Sequence, residues 1–89
     1  MDARAIREVI IGGLQTGAVA EASLVDFHDA FLDGTRDCTI VSLDMDSLAK
    51  MELCIAIEVG TGVSLAPEEL DRYATLAALV AGIEERSRA

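Results

Sequence analysis

The sequence predicts an all-α bundle, and three observations carry that expectation. Ala, Leu, Ile and Val supply most of a 52% hydrophobic fraction, while aromatic residues amount to 3% with no Trp, a composition suited to packed helices. The chain's 89 residues can bury only a modest core, which regular helices fill more simply than a large sheet does. Its apolar residues also recur at helical spacing in separate segments. One domain spanning 1–89 is expected.

Residues 2–16 place Ile6, Val9, Ile10 and Leu14 on one side of a first helix, with Arg4, Arg7 and Glu8 on the other. Gly12 and Gly13 weaken its second half, and Gly17 is the expected stop. The connection over 18–45 is too long to be featureless in a compact domain. Within it, Leu24, Phe27, Phe31 and Leu32 suit a short helical turn packed by the two phenylalanines. Asp33-Gly34-Thr35 reads as a turn, after which Ile40, Val41 and Leu43 anchor the approach to the next helix.

A second helix is expected from about Asp46 to Val59, with Asp46 as N-cap and a stop around Gly60-Thr61-Gly62. A short third helix opens on Pro67, followed by Glu68 and Glu69, whose charges suit a helix N-terminus. The last helix, from about Thr75 to Arg86, presents Leu76, Leu79, Val80 and Ile83 on one face. The layout is thus four helices, with a long loop between the first and second and a short third.

Sixteen acidic side chains against seven basic ones give a net charge of −9, which repels nucleic acid and anionic lipid and draws in basic protein surfaces. Between Asp37 and Asp71 the acids face Lys50 alone among basic residues. Cys38, Cys54 and the single His28 are too few and too scattered for a zinc site, and Cys54 reads as a small core hydrophobe. No apolar run has membrane-spanning length, and Met1-Asp2-Ala3-Arg4 lacks the layout of a secretory signal, so a cytoplasmic monomer is expected.

The second helix carries two apolar stripes. At 100 degrees per residue, Leu48, Met51, Ile55 and Val59 fall on one side with Glu52 alongside, and Leu53, Cys54 and Ile57 fall opposite. A small bundle buries one stripe in its own core, which leaves the other, flanked by Glu52 and Glu58, for a partner protein. The plainer alternative buries both. Ser47, in the first turn, offers its hydroxyl beside unfilled backbone N–H groups, a favourable place for a phosphate-linked group.

With Leu43, Asp46-Ser47-Leu48, Glu52 and Glu58 at the motif's spacings, and Leu65-Ala66-Pro67-Glu68-Glu69-Leu70-Asp71-Arg72-Tyr73-Ala74-Thr75-Leu76 following, residues 40–83 resemble the acyl carrier protein family. The first 39 residues match it only in length and in having one opening helix. The chain departs from the pattern at Asp44, where glycine is usual, at Lys50, where a polar or acidic residue is common, and at Val59, which replaces a second acid.

The resemblance implies a four-helix carrier bundle that does no bond-making chemistry itself. Ser47 would bear phosphopantetheine through a phosphodiester, and the arm would hold a fatty acyl, polyketide or related intermediate as a thioester. Asp46 would help position the phosphopantetheinyl transferase and its metal-bound coenzyme A. Leu48, Met51 and Ile55 would dock partners, with Glu52 and Glu58 meeting their Lys or Arg residues. Those partners would be an acyl- or aminoacyl-loading ligase or transferase and downstream synthases with basic docking surfaces.

Three other readings compete. The cargo could be aminoacyl or peptidyl, loaded by an amino acid ligase. The chain could be an unmodified helical interaction module in which Ser47 merely caps. Catalysis by Ser47 would need a general base, and the sequence identifies no partner for His28.

Overall fold

A computed structural model describes residues 2–19 and 25–88. The described residues form four α-helices, α1 (Ala3–Thr16), α2 (Val25–Leu32), α3 (Ser47–Thr61) and α4 (Leu76–Arg88), with 3-10 segments at Val41–Leu43 before α3 and Pro67–Arg72 before α4. The architecture is the expected all-helical bundle. Leu24 of the expected helical turn lies outside the described residues.

α1 starts where Asp2 accepts the Ala5 N–H at 2.8 Å and buries Ile6, Ile10, Ile11 and Leu14. Val9, expected in that face, is only half-buried because it sits over the C-terminal part of α3. A methyl group on Gly60 would lie 2.6 Å from its Cγ2. Gly13 does more than weaken the helix. A Cβ there would stand 2.9 Å from the Ala56 Cβ and 3.2 Å from the Leu53 Cα, so its bare backbone lets α1 and α3 pack at close range.

α1 ends near Gly17 as anticipated, but not through a glycine in the left-handed region. Ala18 takes that conformation, with φ of 58°. Its N–H donates to Gln15 O and the Val19 N–H to Leu14 O, each at 3.0 Å, the paired bonds that close a helix C-terminus. Buried Val19 and Leu14 supply the usual apolar contact. α2 ends by the same device with the expected residue, since Gly34 has φ of 77° and Gly34 and Thr35 donate to Phe31 O and Ala30 O.

Where a short helical turn was expected, the described residues form a full α-helix. α2 runs eight residues and stacks Phe27 on Phe31 at 5.7 Å between ring centroids, both buried. The Arg36 guanidinium lies 5.4 Å over the Phe27 ring, so the charge caps the aromatic pair from the solvent side.

Beyond α2 the chain is tied across the bundle to the start of α4. Ile40 donates to Ala74 O and Leu76 to Cys38 O, both at 3.0 Å, around an isolated antiparallel bridge between Thr39 and Thr75. Asp37 Oδ1 accepts the Ala77 N–H at 3.0 Å, and Thr75 Oγ1 accepts that of Ala78 at 3.1 Å. Two orphan donors of the first turn of α4 are thereby satisfied, one by a residue 40 positions earlier.

Pro67 opens its segment as expected, but over six residues the chain winds as a 3-10 rather than an α-helix, the form that short pieces favour. Glu69 Oε1 accepts the Ala66 N–H at 3.1 Å, and Leu70 is buried. Leu76, Leu79, Val80 and Ile83 of α4 are all buried as read from their spacing. Arg86 then donates to Ser64 O at 2.9 Å and fastens the helix to the preceding loop. Among the described residues no polar side chain is buried, and no helix is long and apolar enough to cross a membrane.

Leu53 has no exposed surface and touches α1 where Gly13 passes. Leu53→Ala is expected to lower stability by about 2–5 kcal/mol, read as a fall in the urea midpoint at an unchanged slope.

Candidate functional site

The approach to α3 sets the geometry of its first turn. Ile40 and Leu43 are buried and anchor the chain, whereas Val41, expected to join them, is 88% exposed. The 3-10 turn Val41–Leu43 accounts for the difference. It is pinned by Ser42 Oγ donating to Thr39 O at 2.7 Å, and of its three residues only Leu43 turns inward. Asp44 follows with φ of 48° and ψ of 45°, its N–H on Val41 O. This left-handed residue reverses the chain into α3, and aspartate is among the few non-glycine residues that tolerate it.

Asp46 is the N-cap of α3 as its position in the sequence implied. Its φ and ψ are −78° and 179°, its Oδ1 accepts the Ala49 N–H at 2.8 Å, and its carbonyl accepts from Lys50 at 3.0 Å. Ser47 is therefore the first residue of the helix, and it is exposed. The N–H groups of Ser47 and Leu48 have no carbonyl one turn earlier to bond. They point out of the N-terminus with the positive end of the helix dipole. A phosphodiester on Ser47 Oγ fits this place: the hydroxyl is open to solvent, and the carboxylate that caps the helix is already engaged.

The two stripes of α3 separate cleanly. Leu53, Cys54 and Ile57 are buried together with Ala49, while Leu48, Met51, Ile55 and Val59 are 64%, 49%, 50% and 83% exposed. Burial of both stripes is overturned. α1 covers one side at the distance set by Gly13, the 3-10 segment and α4 complete the core, and nothing among the described residues reaches round to the other side. Glu58 is exposed and Glu52 half-buried beside this stripe. Ser47, Leu48, Met51, Glu52, Ile55, Glu58 and Val59 thus lie along the side of α3 that the core leaves uncovered.

Lys50 lies on the core side with its stem partly covered, and its Nζ reaches Asp71 Oδ1 on the 3-10 segment at 3.0 Å. That ion pair joins residues 21 apart, and no local spacing announces it. Cys54 behaves as the core residue it was read to be: burial, then the nearby carboxylates of Glu69 and Glu68, push its thiol up from the ordinary value and keep it protonated and unreactive. His28 meets Gln15 at 3.5 Å. No group of three or more His, Cys, Asp or Glu able to hold a metal occurs among the described residues.

A family model described as "phosphopantetheine attachment site" matches residues 25–83. No curated protein matches the chain, and no solved structure does. The matched span takes in α2 and all of α3, together with the turn that presents Ser47.

Relieving the left-handed backbone at the head of α3 is expected to help the fold. Asp44→Gly should raise stability by up to about 1 kcal/mol, measured by urea denaturation. A loss instead would mean that the Asp44 side chain contributes more to the turn than its backbone conformation costs.

Proposed function

The chain belongs to the family of carrier proteins that bear covalently attached phosphopantetheine, and we propose that Ser47 is the residue that bears it. The observation that carries this is an exposed serine hydroxyl at the first position of a 15-residue helix, within the matched span. In this reading the first-turn N–H groups of α3 face the phosphodiester and offset its charge. Asp46 holds that turn in shape while its second carboxylate oxygen faces the incoming transferase with its metal-bound coenzyme A. When bound, the arm supplies a terminal thiol that carries cargo as a thioester.

The chain's own contribution is presentation and encounter rather than catalysis. Leu48, Met51 and Ile55 offer a half-exposed apolar strip along α3, and covering such a side chain is worth about 1 kcal/mol. That suits a contact made and broken at each enzyme visited. Glu52 and Glu58 flank the strip and meet basic side chains, which sets association rate and specificity more than final affinity. The partners are a phosphopantetheinyl transferase, an acyl- or aminoacyl-loading enzyme and downstream synthases or transferases, with an acyl intermediate of fatty acid, polyketide or related biosynthesis as cargo. An aminoacyl cargo loaded by an amino acid ligase uses the same surface.

Coexpression with a phosphopantetheinyl transferase is expected to add the mass of one arm to the native chain and none to Ser47→Ala. The absence of a gain with a transferase shown to be competent would leave an unmodified interaction module as the better account. Charge reversal tests the flank separately. Glu52→Lys and Glu58→Lys should each slow modification at low salt by about threefold to tenfold while moving the melting temperature little. Parental rates in both variants would remove these carboxylates from the docking surface.

A further inference from the structure

The part of α3 that faces the 3-10 segment carries a charge near the Ser47 end. Ile57, Cys54 and Leu53 are buried, but one turn before Cys54 the same side carries Lys50, whose side chain keeps 26% of its surface in contact with solvent. Its partner, Asp71, belongs to the 3-10 segment that packs against α3, and their 3.0 Å contact spans the seam between the two elements. Below the pair the seam is apolar: Cys54 and Leu70 are both buried. Above it Ile40, Val41, Asp44 and Met45 line, with Lys50 and Asp71, a cleft of about 200 Å³. Asp44 and Met45 lead directly into Asp46 and Ser47, so this cleft opens beside the end of α3 where the arm is attached.

Resting on attachment at Ser47 as argued above, we propose that the Lys50–Asp71 ion pair bars the seam between α3 and the 3-10 segment to the carried group. The chain then keeps a long acyl group outside the bundle and offers it only the shallow cleft. For an alkyl chain to pass inward, the ammonium and the carboxylate must part, and one or both must lose water against hydrocarbon. Two apolar side chains at the same positions would separate at no such cost. Lys50 is thereby a specificity-determining residue: it selects carried groups that need no shelter, such as short or polar ones, and leaves the thioester of a long one open to water.

The test loads the full-length chain from acetyl- and octanoyl-coenzyme A with a phosphopantetheinyl transferase. Intact mass then follows cleavage of each thioester by hydroxylamine, with each rate divided by that of the same acyl group on free pantetheine. On the native chain the two normalised rates are expected to agree. In Lys50→Met, and in Lys50→Met/Asp71→Asn, the octanoyl rate should fall by about fourfold or more, the factor carried by one methylene leaving water. Slow octanoyl cleavage on the native chain overturns the proposal, and that comparison needs no variant to fold. Variants that cleave at the native rate overturn it as well. Failure of either arm to add mass at Ser47 is a different result, seen before hydroxylamine is added, and sinks the attachment reading together with this one.

Discussion

The close approach of α1 to α3 is the constraint on which the rest of this structure depends. Gly13 has no side chain where Ala56 and Leu53 come nearest, so one face of α3 is sealed at short range. Three further walls, from α2, the 3-10 segment and α4, complete a core of aliphatic residues and two stacked phenylalanines. Among the described residues no element is left to cover the far side of this central helix. The exposed stripe Leu48, Met51, Ile55 and Val59 is therefore a product of the packing, and it is the surface on which docking is proposed.

The first turn of α3 shows how the proposed attachment residue is held without being enclosed. Asp44 reverses the chain in a left-handed conformation, Asp46 caps the helix, and buried Ile40 and Leu43 hold the approach against the core. The loop that makes this approach is fixed at its far end as well. Asp37 and Thr39 bind the head of α4, so the segment leading into α3 is anchored on both sides. Ser47 sits on a fixed mount while remaining exposed, which suits the tether point proposed for it.

Most of the helices and the whole surface of α3 were legible in the sequence because both rest on local spacing. The periodic positions Ile6, Ile10 and Leu14, and Leu76, Leu79, Val80 and Ile83, are buried, and Asp46 caps where an aspartate before an apolar run should. What stayed hidden depends on residues far apart in the chain. Lys50 finds Asp71, and Asp37 caps a helix on the far side of the sequence. Val41 points outward because the chain winds there as a 3-10 turn. Ala18 illustrates the limit of residue preference, since it takes the left-handed position after α1 that glycine takes after α2. Buried Val19 and Leu14 hold it there against its own tendency.

A small protein that leaves four large apolar side chains of one helix in water would ordinarily pair with its own kind, face to face, and lose that surface to a dimer. Here the acids along the same helix make two like copies repel as their stripes approach. The excess of nine negative charges extends that repulsion over the whole body. In the docking proposed above, the charge that holds identical molecules apart in a crowded solution would also select an oppositely signed visitor.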